Sequence, residues 1–355
     1  MKSNVYLIRL KNSEKIPVIA DKLKRLLEES RVLDFIQPKH KVAVKMHFGE
    51  EGNTGFVRPE YLRVIYDKVS ACKATAFVAD TNTLYRGRRM NSIDHLALAA
   101  EHGFTKKSVG AEIIVPEDNQ KNIISIPVNQ KFIKTAKLAR LFVEADTFIG
   151  VNHFKGHMMT GFGGALKNMG MGCAAREGKL QQHAEACPVV YTQSCTGCGE
   201  CVKVCPVKAI MVQNKKSIIS AVKCIGCATC IVVCPVSAID VPWGSGAGTI
   251  QEKMIEYALA VMKNKKGKIG FVNFAIKITK ECDCLAKDDP RIVPDIGILV
   301  SNDPVSIDQA SFDLVNQAAG RDIFAELHPQ RDGRKQLEYA QKLGLGNLDY
   351  TLIEL

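Results

Sequence analysis

No stretch of this sequence is apolar for long enough to cross a bilayer as a helix, so no membrane association is expected. The opening run, Met1 to Leu10, holds too short an apolar core for a secretory signal, and a cytoplasmic location is expected. Acidic charge is in short supply: 37 Asp and Glu stand against 48 Lys and Arg, a formal net charge of +11. Aromatics make up only 6%, and none interleave with the basic runs Arg86 to Arg89, Lys106-Lys107 and Lys263 to Lys268. Without such interleaving or a reader motif, nucleic acid is not an expected partner. The basic runs then read either as solvated surface or as ground for an acidic partner or an anionic substrate. Hydrophobic content of 46% and charged content of 24% are those of an ordinary globular protein.

Cysteine is what the chain has in plenty, and eight of its 13 cysteines fall in two copies of one spacing. Cys195, Cys198, Cys201 and Cys205 precede Pro206, and Cys224, Cys227, Cys230 and Cys234 precede Pro235, the copies lying 29 residues apart. Both read C-x2-C-x2-C-x3-C-P. Three thiolates in one tight loop can hold three irons of a cubane, and a fourth must come from elsewhere. Zinc has no use for a third closely spaced cysteine followed by Cys-Pro. Thiol-rich motifs of this kind fit the reducing cytoplasm of an anaerobe.

Residues 189–242 resemble the bacterial dicluster ferredoxins, carried by the two spacings, their prolines and their symmetry. In that family the last cysteine of each run serves the other cluster. The resemblance therefore implies one 4Fe-4S cluster on Cys195, Cys198, Cys201 and Cys234, and a second on Cys224, Cys227, Cys230 and Cys205. It also implies a small α+β module for low-potential electron transfer. Val202, Val204, Ile210, Ile231, Val232, Val233 and Ile239 are the expected apolar shell. With both clusters loaded, the net charge falls to about +7.

The remaining length is enough for a full hydrophobic core. Strands are expected at Val5 to Leu10, Lys41 to His47, Thr75 to Asp80, Thr147 to His153, Lys268 to Phe274 and Ile296 to Val300. Helices are expected at Ile16 to Ile36, Pro59 to Cys72, Asn91 to Glu101, Thr249 to Met262 and Val305 to Ala319. Alternation of short apolar runs with helical periods indicates an α/β fold, a mostly parallel sheet with helices on its faces. Polar, chemically capable residues follow each strand: Lys45 and His47, Asp80, then Asn152, His153, Lys155 and His157, then Cys282 and Cys284, then Asp303. Open α/β sheets bind ligands beyond the carboxyl ends of their strands, so these sets are expected to converge on one crevice.

The densest stretch runs from Asn152 to Leu180. Gly161, Gly163 and Gly164 allow close backbone approach, and Ala165 to Asn168 can open a helix whose N-terminus favours an anion. Lys155 and Lys167 are candidate anion binders, with Arg176, Lys179 and His183 extending the polar run. His153 and His157 read as substrate or cofactor contacts, as metal ligands, or as ordinary loop residues. Cys282 and Cys284 can chelate a soft metal or a further cluster, or cycle as thiols. Cys173 and Cys187 are either additional partners of that pair or small buried hydrophobes, and Cys72 reads as the latter.

Nearly the whole chain resembles the family called domain of unknown function 362, in the form carrying an inserted dicluster ferredoxin. The resemblance rests on Asn152 to His157, Gly161 to Asn168, Met169 to Gly172, Cys282 to Cys284, Val293 to Gly297 and Ser301 to Ala310. The Gly-Gly-Ala-Leu-Lys stretch is also distantly similar to a loop of the nickel-pincer lactate racemases, although Ala165-Leu166 stands where that family has one arginine. The expected organisation is an α/β domain from 1–186 and 245–355 with a ferredoxin domain, 187–244, inserted. Three functions follow. One is an oxidoreductase whose clusters feed a substrate or cofactor at the sheet edge, with His153, Lys155, His157, Lys167, Cys282 and Cys284 as catalytic candidates. Another is an electron carrier docking redox partners, of acidic surface if the basic runs mediate docking. The third is a metal- or cluster-handling protein with a third metal or cluster at Cys282 and Cys284.

Overall fold

The computed structural model describes residues 2–12, 14–183, 187–243, 248–265 and 267–355. The expected domain boundaries at 186/187 and 244/245, and Lys266 of the last basic run, lie outside these residues.

Eight strands form one sheet in the order Tyr350–Glu354, Ser3–Arg9, Gly297–Ser301, Ile269–Ala275, Thr147–His153, Lys41–Lys45, Thr75–Ala79 and Glu112–Ile114. Every neighbouring pair is parallel except the two made by Gly297–Ser301, which runs against both its neighbours. Alternation of side chains places Phe148, Phe271 and Leu299 in one core and Ile149, Val272 and Ile298 in the other. Helices Ile250–Met262 and Pro304–Ala319 cover the first face. Helices Ile16–Ser30 and Pro59–Ala71 cover the second. Cover on both faces is what near-continuous apolar strands demand.

The Ile16 helix is shorter than its pattern. It ends at Ser30 because Arg31 adopts a left-handed conformation, φ 56°, and a turn over Val32 to Phe35 buries Val32, Leu33 and then Ile36 instead. Pro17 does not break it, since proline is tolerated in a first turn. A third apolar cluster, separate from the two cores, gathers Cys195, Cys201, Cys230, Cys234, Ile210, Ile231 and Ile239 with Leu84 and Leu180 of the α/β body.

Candidate functional site

In the cysteine-rich segment the backbone repeats itself. Gly197 and Gly226, Gly199 and Ala228, and Lys208 and Ser237 are matched pairs at positive φ, and the short helices Glu200–Lys203 and Thr229–Val233 follow equivalent turns. Each run directs backbone N–H groups at its sulfurs. Ala209 N donates to Cys205 Sγ at 3.1 Å and Ala238 N to Cys234 Sγ at 3.2 Å. Ser217 N donates to Cys195 Sγ at 3.3 Å and Gly226 N to Cys224 Sγ at 3.4 Å. Such donors suit metal-bound sulfur. Cys205, Cys224, Cys227 and Cys230 line one small cavity, three thiols of the second run with the last thiol of the first. The chemistry and grouping of these donors fit metal or cluster binding. Cys198 is the exposed member of the eight. Val202 does not join the apolar shell. It follows inward-facing Cys201 on a helix, a step that turns it outward, and it is 37% exposed.

The carboxyl edge of the sheet encloses a cavity of about 520 Å³. Lys45, His47, Asp80, Asn152, His153, Lys155, His157, Lys167, Cys282 and Cys284 all line it. Asp303 does not. It follows the one reversed strand, so it sits at the opposite edge, capping Pro304–Ala319 through Val305 N at 2.8 Å and Ser306 N at 2.9 Å.

Beneath the cavity runs a buried chain of side chains. Lys45 Nζ bonds Asp80 Oδ1 at 2.9 Å and Asn168 Oδ1 at 2.8 Å. Asn168 Nδ2 donates to Asn152 Oδ1 at 2.7 Å, Asn152 Nδ2 to Asn273 Oδ1 at 2.8 Å, and Asn273 Nδ2 to Asp308 Oδ1 at 2.8 Å. Asp308 also accepts from Ala165 N at 2.7 Å and Leu166 N at 2.9 Å. The amides expected to bind an anionic ligand are therefore occupied by the protein's own carboxylate. Gly164 serves that contact, since a Cβ there would lie 2.2 Å from Asp308 Oδ1. Burial pushes the Asp308 carboxyl up to about 6 despite these donors.

The basic run Arg86 to Arg89 is not simply surface. Arg89 is 3% exposed and bonds Asp80 Oδ2 at 3.0 Å, while Arg86 Nη2 reaches Cys234 O at 2.9 Å and Ile231 O at 3.2 Å. Only the fold reveals this, because sequence spacing does not distinguish an arginine facing Asp80 from one facing water. Burial alone would raise the Asp80 carboxyl, but Lys45, His95 and Arg89 outweigh it and hold it well below the carboxylate range.

At the cavity wall, Asp283 accepts from His153 Nδ1 at 2.8 Å and Lys155 Nζ at 3.0 Å. Burial opposes ionisation there too, yet His153 and Lys155 hold this carboxyl well down. His153 Nε2 contacts Ile276 O at 2.7 Å, so neither ring nitrogen is free for a ligand. His153 and Lys155 thus position the Cys282-Asp283-Cys284 loop. Lys167 makes no ion pair among the described residues, and burial, then Lys155, lowers its ammonium to about 7. Burial likewise holds His157 well below the imidazole value, and His183 at about 3.

His157 lies on the hairpin strand Lys155–His157, paired with Gly161–Gly163. Gly156 lets this hairpin press on the neighbouring loop: its N–H donates to Thr279 O at 2.9 Å, and a Cβ would meet Lys280 O at 2.1 Å. The result is a His157, Cys282 and Cys284 group whose donor atoms lie within 4.8 Å of one another, a set able to bind metal. Cys282 and Cys284 are joined as a disulfide. Cys173 does not join this group and is buried in the first core, its thiol pushed up to about 12 by burial. Cys187 instead stands close to Cys224, whose thiol burial raises and Cys187 raises further. Cys72 is a half-buried residue packed against the second core.

Residues 42–313 match the family described as Domain of unknown function (DUF362). No curated protein matches the chain. Among solved structures, the lactate racemase apoprotein from Thermoanaerobacterium thermosaccharolyticum aligns at TM-score 0.38 and 16% identity, over 78% of this chain and 51% of that one. A protein from Thermotoga maritima aligns at TM-score 0.41 and 14% identity, over 91% of this chain and 61% of that one. The chain thus spans between half and two thirds of the length of these proteins. No helix among the described residues is long and apolar enough to cross a membrane.

Proposed function

We propose that this chain, which belongs to the DUF362 family, is an iron-sulfur oxidoreductase acting on a small anionic substrate or cofactor in the carboxyl-edge cavity. Cys195, Cys198, Cys201 and Cys234 would hold one 4Fe-4S cluster, and Cys205, Cys224, Cys227 and Cys230 a second, within an inserted ferredoxin module. When bound, these supply low-potential one-electron transfer.

The observation that carries the reading is a shared wall. Leu84 belongs to the apolar cluster around the cysteines and also lines the cavity. Trp243 lines the cavity too, edge-on to His183 at 5.2 Å. The second cysteine run is the docked one: Arg86 binds its carbonyls, and Gly226 faces Leu180. Cys198 of the first run is exposed on the module's surface, where a redox partner can approach. A module that only exchanged electrons between partners would have no need of a cavity wall.

Lys167, with no ion pair among the described residues, is the uncommitted amine of the pocket, Lys155 being held by Asp283. His47 adds a buried Nε2 with no hydrogen-bond partner among the described residues. Its Nδ1 accepts from Gly49 N at 2.9 Å, so the proton resides on Nε2, next to the cavity. These groups bind and orient an anion, and Lys167, near 7, can give up a proton at neutral pH.

The test is anaerobic. Dithionite-reduced protein should show the electron paramagnetic resonance of reduced 4Fe-4S centres. Small electron acceptors that carry a carboxylate or phosphate beside a reducible group, 2-oxo acids among them, should then reoxidise it at rates that fall at least tenfold in Lys167→Met, with iron content unchanged. Reoxidation by protein carriers alone, insensitive to Lys167→Met and to every small acceptor, would establish the carrier instead.

A further inference from the structure

We propose that His157, Cys282 and Cys284 form a soft divalent-metal site that opens when the Cys282–Cys284 disulfide is reduced and closes when it is oxidised. This stands apart from the electron-transfer reading and does not depend on it.

The donor set is one imidazole nitrogen and two sulfurs within 4.8 Å of one another. Two thiolates and one histidine are a ligand set for zinc and related borderline-soft cations, and three protein ligands leave a position open. That position faces the cavity, because all three residues line it. Asp283, between the cysteines in sequence, is not available to compete, since His153 and Lys155 already claim its carboxylate. Their grip fixes the intervening residue, and with it the two flanking cysteines.

The surroundings suit both the metal and the dithiolate. Cys284 N donates to Cys282 Sγ at 3.3 Å, a contact that also suits a metal-bound sulfur. His157 Nδ1 accepts from Met159 N at 3.1 Å and has Thr160 Oγ1 at 3.1 Å, so in the disulfide state the ring proton sits on Nε2. The Thr160 hydroxyl gives its proton to Phe162 O at 2.7 Å, so it offers Nδ1 a lone pair. A cation at Nε2 shifts that proton to Nδ1, where Thr160 Oγ1 accepts it in exchange for the Met159 N–H bond. Cys282 is 4% exposed and Cys284 is half-buried, so Cys284 is the sulfur that a small thiol reaches first.

The step balances with a dithiol as reductant. A thiolate of the dithiol attacks Cys284 Sγ and breaks the Cys282–Cys284 bond, and its second thiol then expels Cys284, leaving the dithiol as a cyclic disulfide. Two electrons reach the protein, and Cys282 and Cys284 each hold a thiol. Binding one divalent cation releases both thiol protons, so the site plus metal is neutral.

The experiment uses full-length protein with its native iron, prepared anaerobically, and zinc as the probe. Protein reduced with a dithiol and freed of it by gel filtration is dialysed against zinc and analysed by mass spectrometry for zinc and iron. Reduced protein should retain one more zinc per chain than protein oxidised with diamide. Cys282→Ser with Cys284→Ser should lose that zinc, and His157→Ala should weaken it at least tenfold, with iron unchanged. In wild type, zinc should also protect Cys282 and Cys284 from iodoacetamide, a readout that needs no variant. Equal zinc in oxidised and reduced protein, zinc retained without both cysteines, or alkylation of Cys282 and Cys284 unaffected by zinc would each overturn the proposal.

Discussion

Replacing Lys45 by Met tests whether the polar floor of the cavity holds the fold together. The side chain is 1% exposed, and its ammonium touches Asp80 Oδ1 at 2.9 Å, Asn168 Oδ1 at 2.8 Å and Met46 O at 2.8 Å. Removing one partner of a buried ion pair costs about 3–5 kcal/mol when the other charge is left bare. Asp80 is not left bare, since Arg89 Nη2 remains at 3.0 Å and Thr81 N at 2.8 Å. The pair loss should therefore fall at the low end, with about 1 kcal/mol added for the orphaned Asn168 carbonyl. Methionine fills the space, so no cavity contribution enters. The expected loss is about 3–4 kcal/mol, read from urea denaturation followed by circular dichroism under anaerobic conditions. Asp80 supplies a second handle. Its folded carboxyl lies below its unfolded value, so its stabilisation is present above the unfolded value and is lost as pH falls towards the folded one. Lys45→Met raises the folded value, so acid unfolding should begin at higher pH. Lys45→Met combined with Asp80→Asn should cost less than the sum of the single changes by at least about 1 kcal/mol. A Lys45→Met loss under about 1 kcal/mol, additive with Asp80→Asn, would refute the reasoning.

Anaerobically purified protein should carry about eight irons and eight acid-labile sulfides per chain; zinc in their place would exclude the clusters. Cys205→Ser should damage the centre built by Cys224, Cys227 and Cys230 more than the one on its own run, visible as loss of one spectroscopic component. Gly156→Ala should force the hairpin off Lys280 and cost about 1–3 kcal/mol in urea denaturation; a neutral result would mean that the close approach does not constrain the loop. Lys167 carries a folded value of about 7 against 10.5 unfolded, so its contribution to stability should rise with pH between these values, by about 1.4 kcal/mol per unit. Lys167→Met should flatten that slope in a pH series of denaturation curves, and an unchanged slope would show that the amine titrates elsewhere.

The parallel sheet and its cavity were legible because strand ends carry their chemistry in order, so Lys45, Asp80, Asn152 and His157 could be grouped before any coordinates. Strand direction was not legible. Gly297–Ser301 has the same apolar character as its neighbours, and nothing in Ser301-Asn302-Asp303 says that the strand is reversed. The short edge strands Glu112–Ile114 and Tyr350–Glu354 escaped for want of a long apolar run. Gly161, Gly163 and Gly164 read as room for a ligand, whereas Gly164 makes room for Asp308 and Gly161 for the backbone at Gly333. A glycine reports that something comes close, and sequence does not say what. The roles of Asp283, Asn168 and Asn273 were hidden because their partners His153, Asn152 and Asp308 lie 130, 16 and 35 residues away, in other elements.

The amide chain from Lys45 to Asp308 has a consequence in the order of synthesis. Its members belong to elements that precede the cysteine runs, Lys45, Asn152 and Asn168, and to elements that follow them, Asn273 and Asp308. On the ribosome, the cysteine loops emerge before the floor beneath the cavity has its last two members. Domains tend to fold as they appear, so metal loading of residues 195–234 can come before the cavity closes. A nascent chain stalled near residue 290, whose cysteine runs have left the exit tunnel while Asn273 has not, should accept iron and sulfide while its first 180 residues stay sensitive to protease. Release of the full chain should then protect those residues in one step, when Asn273 meets Asn152.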